Sequence, residues 1–212
     1  MWVFSRMPSV HPAIAFSYPG IAEDVARLRR LLAEAIRLLQ RPRLVEPSIL
    51  NLACGRADET GVLIETLCLP EHGGSYVGMD LRVAEIQEAT RRWKHGWLPH
   101  GRVEFRVADA SLTQHWAEAA DKDIIFVRHQ NFWDDPATWD RIYRNAMARL
   151  KPSGLLMITS YFDREHELAL ACLRELDAVI LLDLPHHASR PLPDAPGKSV
   201  DKRLAVIGHS GV

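Results

Sequence analysis

The stretch Ile49–Gly61, ILNLACGRADETG, decides how the chain is read. Its first residues, Ile49 to Ala53, form a short apolar run of the kind that builds a buried parallel strand. A turn of small residues around Cys54 and Gly55 follows, and a helix is expected from about Asp58 to Leu69. Small residues between a strand and a helix let the backbone approach a ligand, and the first turn of the helix aims unpaired N–H groups at it.

Outward from this segment, short apolar runs alternate with amphipathic ones, the pattern of βα units in a doubly wound, mostly parallel α/β sheet. Further strands are expected at Tyr76–Asp80, Val103–Val107, Ile124–Val127, Leu155–Thr159, Val179–Leu182 and Arg203–Ile207. Helices fit between them at about Ala84–Trp97, Leu112–Ala119, Pro136–Leu150 and Arg164–Leu176. Asp135 before Pro136 is a good N-cap and first-turn pair, and Lys151-Pro152-Ser153-Gly154 reads as a stop. Upstream, Val25, Leu28, Leu32, Ile36 and Leu39 recur at helical spacing, so residues 1–47 read as an irregular arm and a helix ahead of a core at 48–212. Pro185 to Val200 is rich in proline and reads as a loop.

The 212 residues suit one domain, and 47% hydrophobic composition suffices for one core. Lys plus Arg total 26 against 27 Asp plus Glu, which makes a nucleic-acid partner unlikely to be held by net charge. Cys54, Cys68 and Cys172 are far apart and lack CxxC spacing, which suits a reducing cytoplasm and no zinc site. No apolar run is long enough for a signal peptide or a membrane span, so no membrane partner is expected.

Asp80 closes the second strand, where a carboxylate can accept hydrogen bonds from both hydroxyls of a ribose. Asp109 closes the third, placed to meet an exocyclic amine. Each also precedes a helix, where capping is the ordinary use of Asp. Taken with the Gly55 turn, they fall at the carboxyl ends of successive strands, where open α/β sheets bind ligands.

These segments resemble class I, Rossmann-like S-adenosylmethionine-dependent methyltransferases. ILNLACGRAD resembles their first motif, YVGMDL the motif of the ribose-binding acid, and RVADA the motif whose acid meets the adenine amine. IIFVRHQNF and RLKPSGLLMIT resemble the fourth-strand motif and the turn into the fifth strand. The resemblance implies seven strands in the order 3-2-1-4-5-7-6 with the last antiparallel, and S-adenosylmethionine as cofactor. It implies cofactor contacts from Asn51, Ala53, Gly55, Asp80, Leu81, Asp109 and Ala110. Asn51 stands where the family has an acid, and Ala53 and Ala57 where it has glycines. The Asn51 oxygen can still accept from an ammonium group, and the alanines serve if their φ stays negative.

By the same analogy His129 and Asn131 sit at the mouth of the site, where a base for an oxygen or nitrogen nucleophile belongs. Tyr18, Phe132, Trp133 and Tyr161, with Phe162, would wall an acceptor. His186, His187 and Arg190 lie in the proline-rich loop without a firm third metal ligand. RHQNFW lacks the DPPY or NPPY pattern of enzymes that methylate DNA bases. The expectation is methyl transfer to a small-molecule oxygen or nitrogen acceptor, with a protein side chain left open and the oligomeric state unassigned. A methyltransferase fold that has lost catalysis and serves as a binding module or scaffold is the alternative. A nicotinamide-dependent oxidoreductase is disfavoured, since no GxGxxG follows the first strand and no YxxxK pair occurs.

Overall fold

The computed structural model describes residues 20–69, 72–93, 101–116 and 121–210. Helix α1 (Ile21–Leu38) precedes strand β1 (Ser48–Leu52), and α2 (Thr60–Leu67), β2 (Gly74–Asp80), α3 (Val83–Trp93) and β3 (Gly101–Val107) follow. A 3-10 turn at Thr113–Trp116 leads to β4 (Lys122–Val127), α4 (Pro136–Arg149), β5 (Leu150–Ser160) and α5 (Asp163–Glu175). The chain closes with β6 (Ala178–Pro185), the short β7 (Arg190–Pro191) and β8 (Ser199–Val200), and β9 (Arg203–His209). Among the described residues no helix is long and apolar enough to cross a membrane.

Seven strands form one sheet in the order β3-β2-β1-β4-β5-β9-β6. Every pairing from β3 to β5 is parallel, and β9 runs antiparallel to both β5 and β6. This is the expected order, β9 being the seventh strand of the sheet along the chain. Alternation along the strands divides their side chains between two apolar layers. Leu50, Leu52, Ile125, Val127, Leu156 and Ile158 pack beneath Tyr143 and Ala146 of α4 and Leu170 and Leu173 of α5. Ile49, Tyr76, Ile124, Phe126, Leu155 and Met157 pack on the other face against Leu28, Leu32 and Ala35 of α1 and Leu63 and Ile64 of α2. Fully burying each large side chain contributes about 1.5–3 kcal/mol, so these layers are the main source of stability.

Several local expectations shift. β5 begins at Leu150, five residues before the expected start, because Lys151 to Gly154 enter the sheet through an irregularity between the Lys122 and Ile124 pairings. That bulge is where a strand accommodates Pro152. The helix expected at Leu112–Ala119 is a four-residue 3-10 turn as far as Trp116, and residues beyond it to 120 lie outside the described ones. The helix expected to Trp97 is described to Trp93. The proline-rich segment contains the β7–β8 ladder, with Arg190 paired to Val200. α4 begins as expected, Asp135 Oδ1 accepting the Thr138 N–H at 3.0 Å ahead of Pro136.

Directly under the β1 turn, Gly78 allows a close approach between β2 and its neighbours. A Cβ there would lie 2.6 Å from Phe105 Cδ1 and 2.9 Å from Cys54 Sγ. Gly78→Ala is therefore expected to destabilise the protein by about 1–3 kcal/mol, the range for overpacking. Urea unfolding of the variant checks it, and an unchanged midpoint would show that Phe105 and Cys54 yield freely.

Candidate functional site

The strand order reverses direction between β1 and β4, and the turn after β1 and the end of β4 enclose a cleft there. Its volume is ≈ 440 Å³, and its walls include Ala53, Gly55, Glu59, Arg82, Arg128, His129 and Tyr161. In an open α/β sheet this crevice is the place for a ligand.

The turn is wound tightly. Ala53 (φ 52°), Gly55 (φ 52°) and Ala57 (φ 61°) all adopt the left-handed conformation, so the condition of negative φ at the two alanines is not met. Each non-glycine residue held there costs roughly 1–2 kcal/mol. The turn is tied by the Cys54 N–H to the Met79 carbonyl at 3.0 Å and the Gly55 N–H to Asp80 Oδ2 at 2.8 Å. Burial pushes the Cys54 thiol well above its ordinary pKa, so it stays protonated beside the cleft.

Asp80 thus stands beside the turn, at the end of β2. Its carboxylate also accepts from the Arg82 backbone N–H at 2.9 Å and from the Arg82 guanidinium through Nε at 2.9 Å and Nη2 at 3.0 Å. Burial opposes its charge, but these bonds prevail and hold its pKa below the usual carboxylate value. Arg82 covers both oxygens, although its own side chain is 62% exposed and has room to leave. Asp109 accepts the Ser111 N–H at 2.8 Å through one oxygen, a local turn ahead of the 3-10 segment. Leu81 is exposed, while Ala110 is buried and its carbonyl accepts from Trp116 Nε1 and Asn145 Nδ2.

Asn51 is fully buried, so the side chain expected at an ammonium group faces inward. Its Nδ2 donates to Glu59 Oε1 at 2.6 Å and to the Tyr76 hydroxyl at 2.9 Å, and its buried Oδ1 has no hydrogen-bond partner among the described residues. Glu59, just before α2, is the acid through which Asn51 reaches the cleft wall, which Asp58 and Glu85 also line. Burial raises the Glu59 pKa even though Arg128 Nη1 lies 3.6 Å away. Arg128 in turn forms a two-pronged pair with Asp201, Nε to Oδ1 at 3.0 Å and Nη2 to Oδ2 at 2.7 Å. Thr159 Oγ1 donates to Asp201 Oδ1 at 2.8 Å, and His129 Nε2 lies 2.9 Å from the same oxygen. His129 adopts φ 56° and stacks on Tyr161, ring centroids 3.9 Å apart.

Of the residues expected at the mouth, His129 and Tyr161 line the cleft together. Trp133 is exposed, does not line the cleft, and packs on Phe162 at 4.7 Å between centroids. Asn131 is exposed, and Phe132 points into the core against Tyr143, which corrects its placement on an acceptor wall. Tyr18 lies outside the described residues. In the proline-rich loop His186 Nδ1 contacts the Asp201 carbonyl and Arg190 pairs with Asp24 of α1, so both serve the scaffold. No cluster able to hold a metal occurs among the described residues. Glu59, Arg128 and Asp201 escaped the sequence reading. Arg128 had a signal, a charge directly after the apolar run of β4, whereas Asp201 in SVDKR had none.

No family model matches the sequence, and no curated protein matches it. Solved structures do match. An S-adenosylmethionine-dependent methyltransferase from Clostridium acetobutylicum superposes with a TM-score of 0.64 at 11% identity, covering 88% of this chain and 92% of that one. The N-methyltransferase NodS from Bradyrhizobium japonicum gives 0.62 at 18% identity, covering 86% and 96%. An O-methyltransferase from Thermotoga maritima gives 0.58 at 16%, covering 92% of this chain and 66% of that one. The chain therefore has the Rossmann-like fold of class I S-adenosylmethionine-dependent methyltransferases. At these identities the likeness is one of fold.

One buried acid outside the cleft holds its rim in place. Glu165, 1% exposed, accepts the backbone N–H of Tyr161 at 3.1 Å, and those of Phe162 and Phe132, joining the segments that follow β4 and β5. Burial pushes its pKa up to about 7, those hydrogen bonds opposing the rise. With a folded pKa above the unfolded one, the folded state binds the proton more tightly, so the associated stability is present below about pH 4.5 and lost through about pH 7. Glu165→Gln removes this titration while keeping an acceptor. Between pH 5 and 8 the wild type is expected to lose on the order of 1–3 kcal/mol relative to Glu165→Gln, measured by urea unfolding of both proteins; parallel pH profiles would refute it.

Proposed function

We propose that the cleft binds S-adenosylmethionine and that the protein transfers its methyl group to a small-molecule oxygen or nitrogen acceptor. The observation that carries this reading is the cleft at the strand switch point, with the left-handed Ala53–Ala57 turn tied to Asp80 by the Gly55 N–H. A backbone this close to a strand-end carboxylate fits a nucleoside, its ribose hydroxyls donating to Asp80. Arg82 would have to release the carboxylate first, and its exposure allows that. Leu81 would lie against the adenine, and Asp109, whose second oxygen has no partner among the described residues, would meet the adenine amine. Ala53, Gly55 and Ala110 would contribute backbone surface, and Glu59 rather than Asn51 would supply negative charge at the amino-acid end of the ligand.

The bound cofactor would supply an activated methyl group on a sulfonium. The protein's part is then to exclude water, hold an acceptor in line and take its proton if it arrives protonated. His129 and Tyr161, which line the cleft, are the residues for that part, with Trp133 and Asn131 exposed on the segment that follows β4. The solved N- and O-methyltransferases of the same fold agree with either acceptor atom.

A second reading, a binding module without catalysis, is favoured by one observation: Arg82 satisfies both oxygens of Asp80. Calorimetry with S-adenosylmethionine and S-adenosylhomocysteine separates nucleoside binding from an emptied pocket. Binding is expected, and Asp80→Ala should weaken it by about 1–3 kcal/mol, the loss for polar groups deprived of their partner. Unchanged affinity in a folded Asp80→Ala protein, or no binding by the wild type, would overturn the cofactor assignment.

A further inference from the structure

The contacts of His129 go beyond what a residue lining a pocket needs. Its Nε2 lies 2.9 Å from Asp201 Oδ1 and 3.2 Å from the Asp201 backbone N–H, two contacts that demand opposite tautomers. A bare Nε2 would accept from the N–H, whereas an Nε2–H donates to the carboxylate. The carboxylate decides, because it is ionised, only 1% exposed and the closer of the two, and a charge-assisted bond is about twice as strong as a neutral one. Nδ1 is then left as the acceptor. It has no hydrogen-bond partner among the described residues, and the ring that carries it lines the cleft. The ring cannot turn away easily, since Tyr161 stacks on it and φ is held at 56°.

We propose that Asp201 is the positioning residue of an Asp201–His129 pair, which keeps Nδ1 of His129 as a proton acceptor facing the cleft and so selects acceptors that arrive with an O–H or N–H bond. The inference rests on methyl transfer as the reaction. As that O–H or N–H bond breaks, Nδ1 takes the proton. The freed electron pair forms the bond to the methyl carbon, and the methyl–sulfur bond breaks with its pair staying on sulfur. The positive charge thus passes from the sulfonium to the imidazolium, beside Asp201.

The surroundings set the charge state. Burial lowers the His129 pKa, and Arg128 lowers it further from the end of β4. Asp201 before β9 and Asp24 of α1 raise it, Glu59 ahead of α2 acts through Arg128, and Tyr161 after β5 presents a hydroxyl whose pKa is raised. The balance leaves a neutral imidazole near pH 7, the form a base requires. Asp201 itself stays ionised because Arg128 and His129 outweigh its burial.

Long-range nitrogen–proton NMR spectra of the labelled protein test the pair, with His129→Gln assigning the signal. A neutral Nε2–H tautomer at pH 7 is expected, and an Nδ1–H tautomer or an imidazolium would overturn the proposal. In Asp201→Asn the tautomer preference should be lost and the His129 pKa should fall. An unchanged tautomer in a folded Asp201→Asn protein would also overturn it, and if that variant does not fold the wild-type spectrum alone decides. Methyl transfer from labelled S-adenosylmethionine to phenols, alcohols and amines should fall about 10²-fold or more in kcat in either variant, with KM little changed. A loss confined to KM would count against the proposal. Calorimetry with S-adenosylhomocysteine keeps the two readings apart: no binding, with the tautomer as expected, would remove the methyl-transfer reading and leave the pair as a base in search of other chemistry.

Discussion

The ion pair between Arg128 and Asp201 is the contact on which the mouth of the sheet depends. Asp201 is 1% exposed and 73 residues from Arg128, and through it the ends of β4, β5 and β9 are fixed to one another. Arg128 extends the connection to Glu59, and Glu59 to Asn51 and thereby β1. Such a pair adds little net stability over apolar replacements, because both charges must leave water. Removing one partner, by contrast, strands the other and costs several kcal/mol. Its value here is geometric. It determines where the wall of the cleft stands and which way His129 faces.

Around that pair the backbone is strained at one edge. Ala53, Ala57, His129 and Asp201 are non-glycine residues in left-handed conformation, in the loops that follow β1 and β4 and precede β9. Strain of this kind persists only where surrounding structure over-determines it, and it concentrates at functional sites. The two apolar layers beneath provide the reserve, since the β1 and β4 residues just before the cleft, Leu52 and Val127, are completely buried. The edge that bounds the cleft is thus held in conformations that its own residues do not prefer.

That division explains what was legible in the sequence. The alternation of apolar runs follows from burial on both faces of a parallel sheet, so strand order and element types could be read once the motif resemblance was added. Asp80 was legible because a strand-end acid after a small-residue turn is a local pattern. Asp201 was not, because nothing within SVDKR records a partner 73 residues away. Phe132 and Trp133 show the same limit at short range. They are adjacent and chemically alike, but Phe132 enters the core and Trp133 stays outside, a choice made by the chain's path from β4 to α4. The left-handed φ of the turn alanines was not legible for a third reason. Intrinsic preference favours negative φ, and closure of the turn onto Met79 and Asp80 overrides it.

The network also accounts for the most visible departure from the first motif of the resembled family, the amide of Asn51 in place of an acid. Position 51 is fully buried, and its side chain meets Glu59 Oε1 at 2.6 Å. A carboxylate there would put two acids at hydrogen-bond distance, and like charges so close in a buried site force one to bind a proton. An amide avoids this by donating. Glu59 then keeps its place beside Arg128, although burial has already raised its pKa. The acid missing at position 51 is matched by one at position 59, eight residues on and at the wall of the same cleft. A carboxyl group therefore still stands in the turn, so the altered motif alone is no argument that the site has decayed.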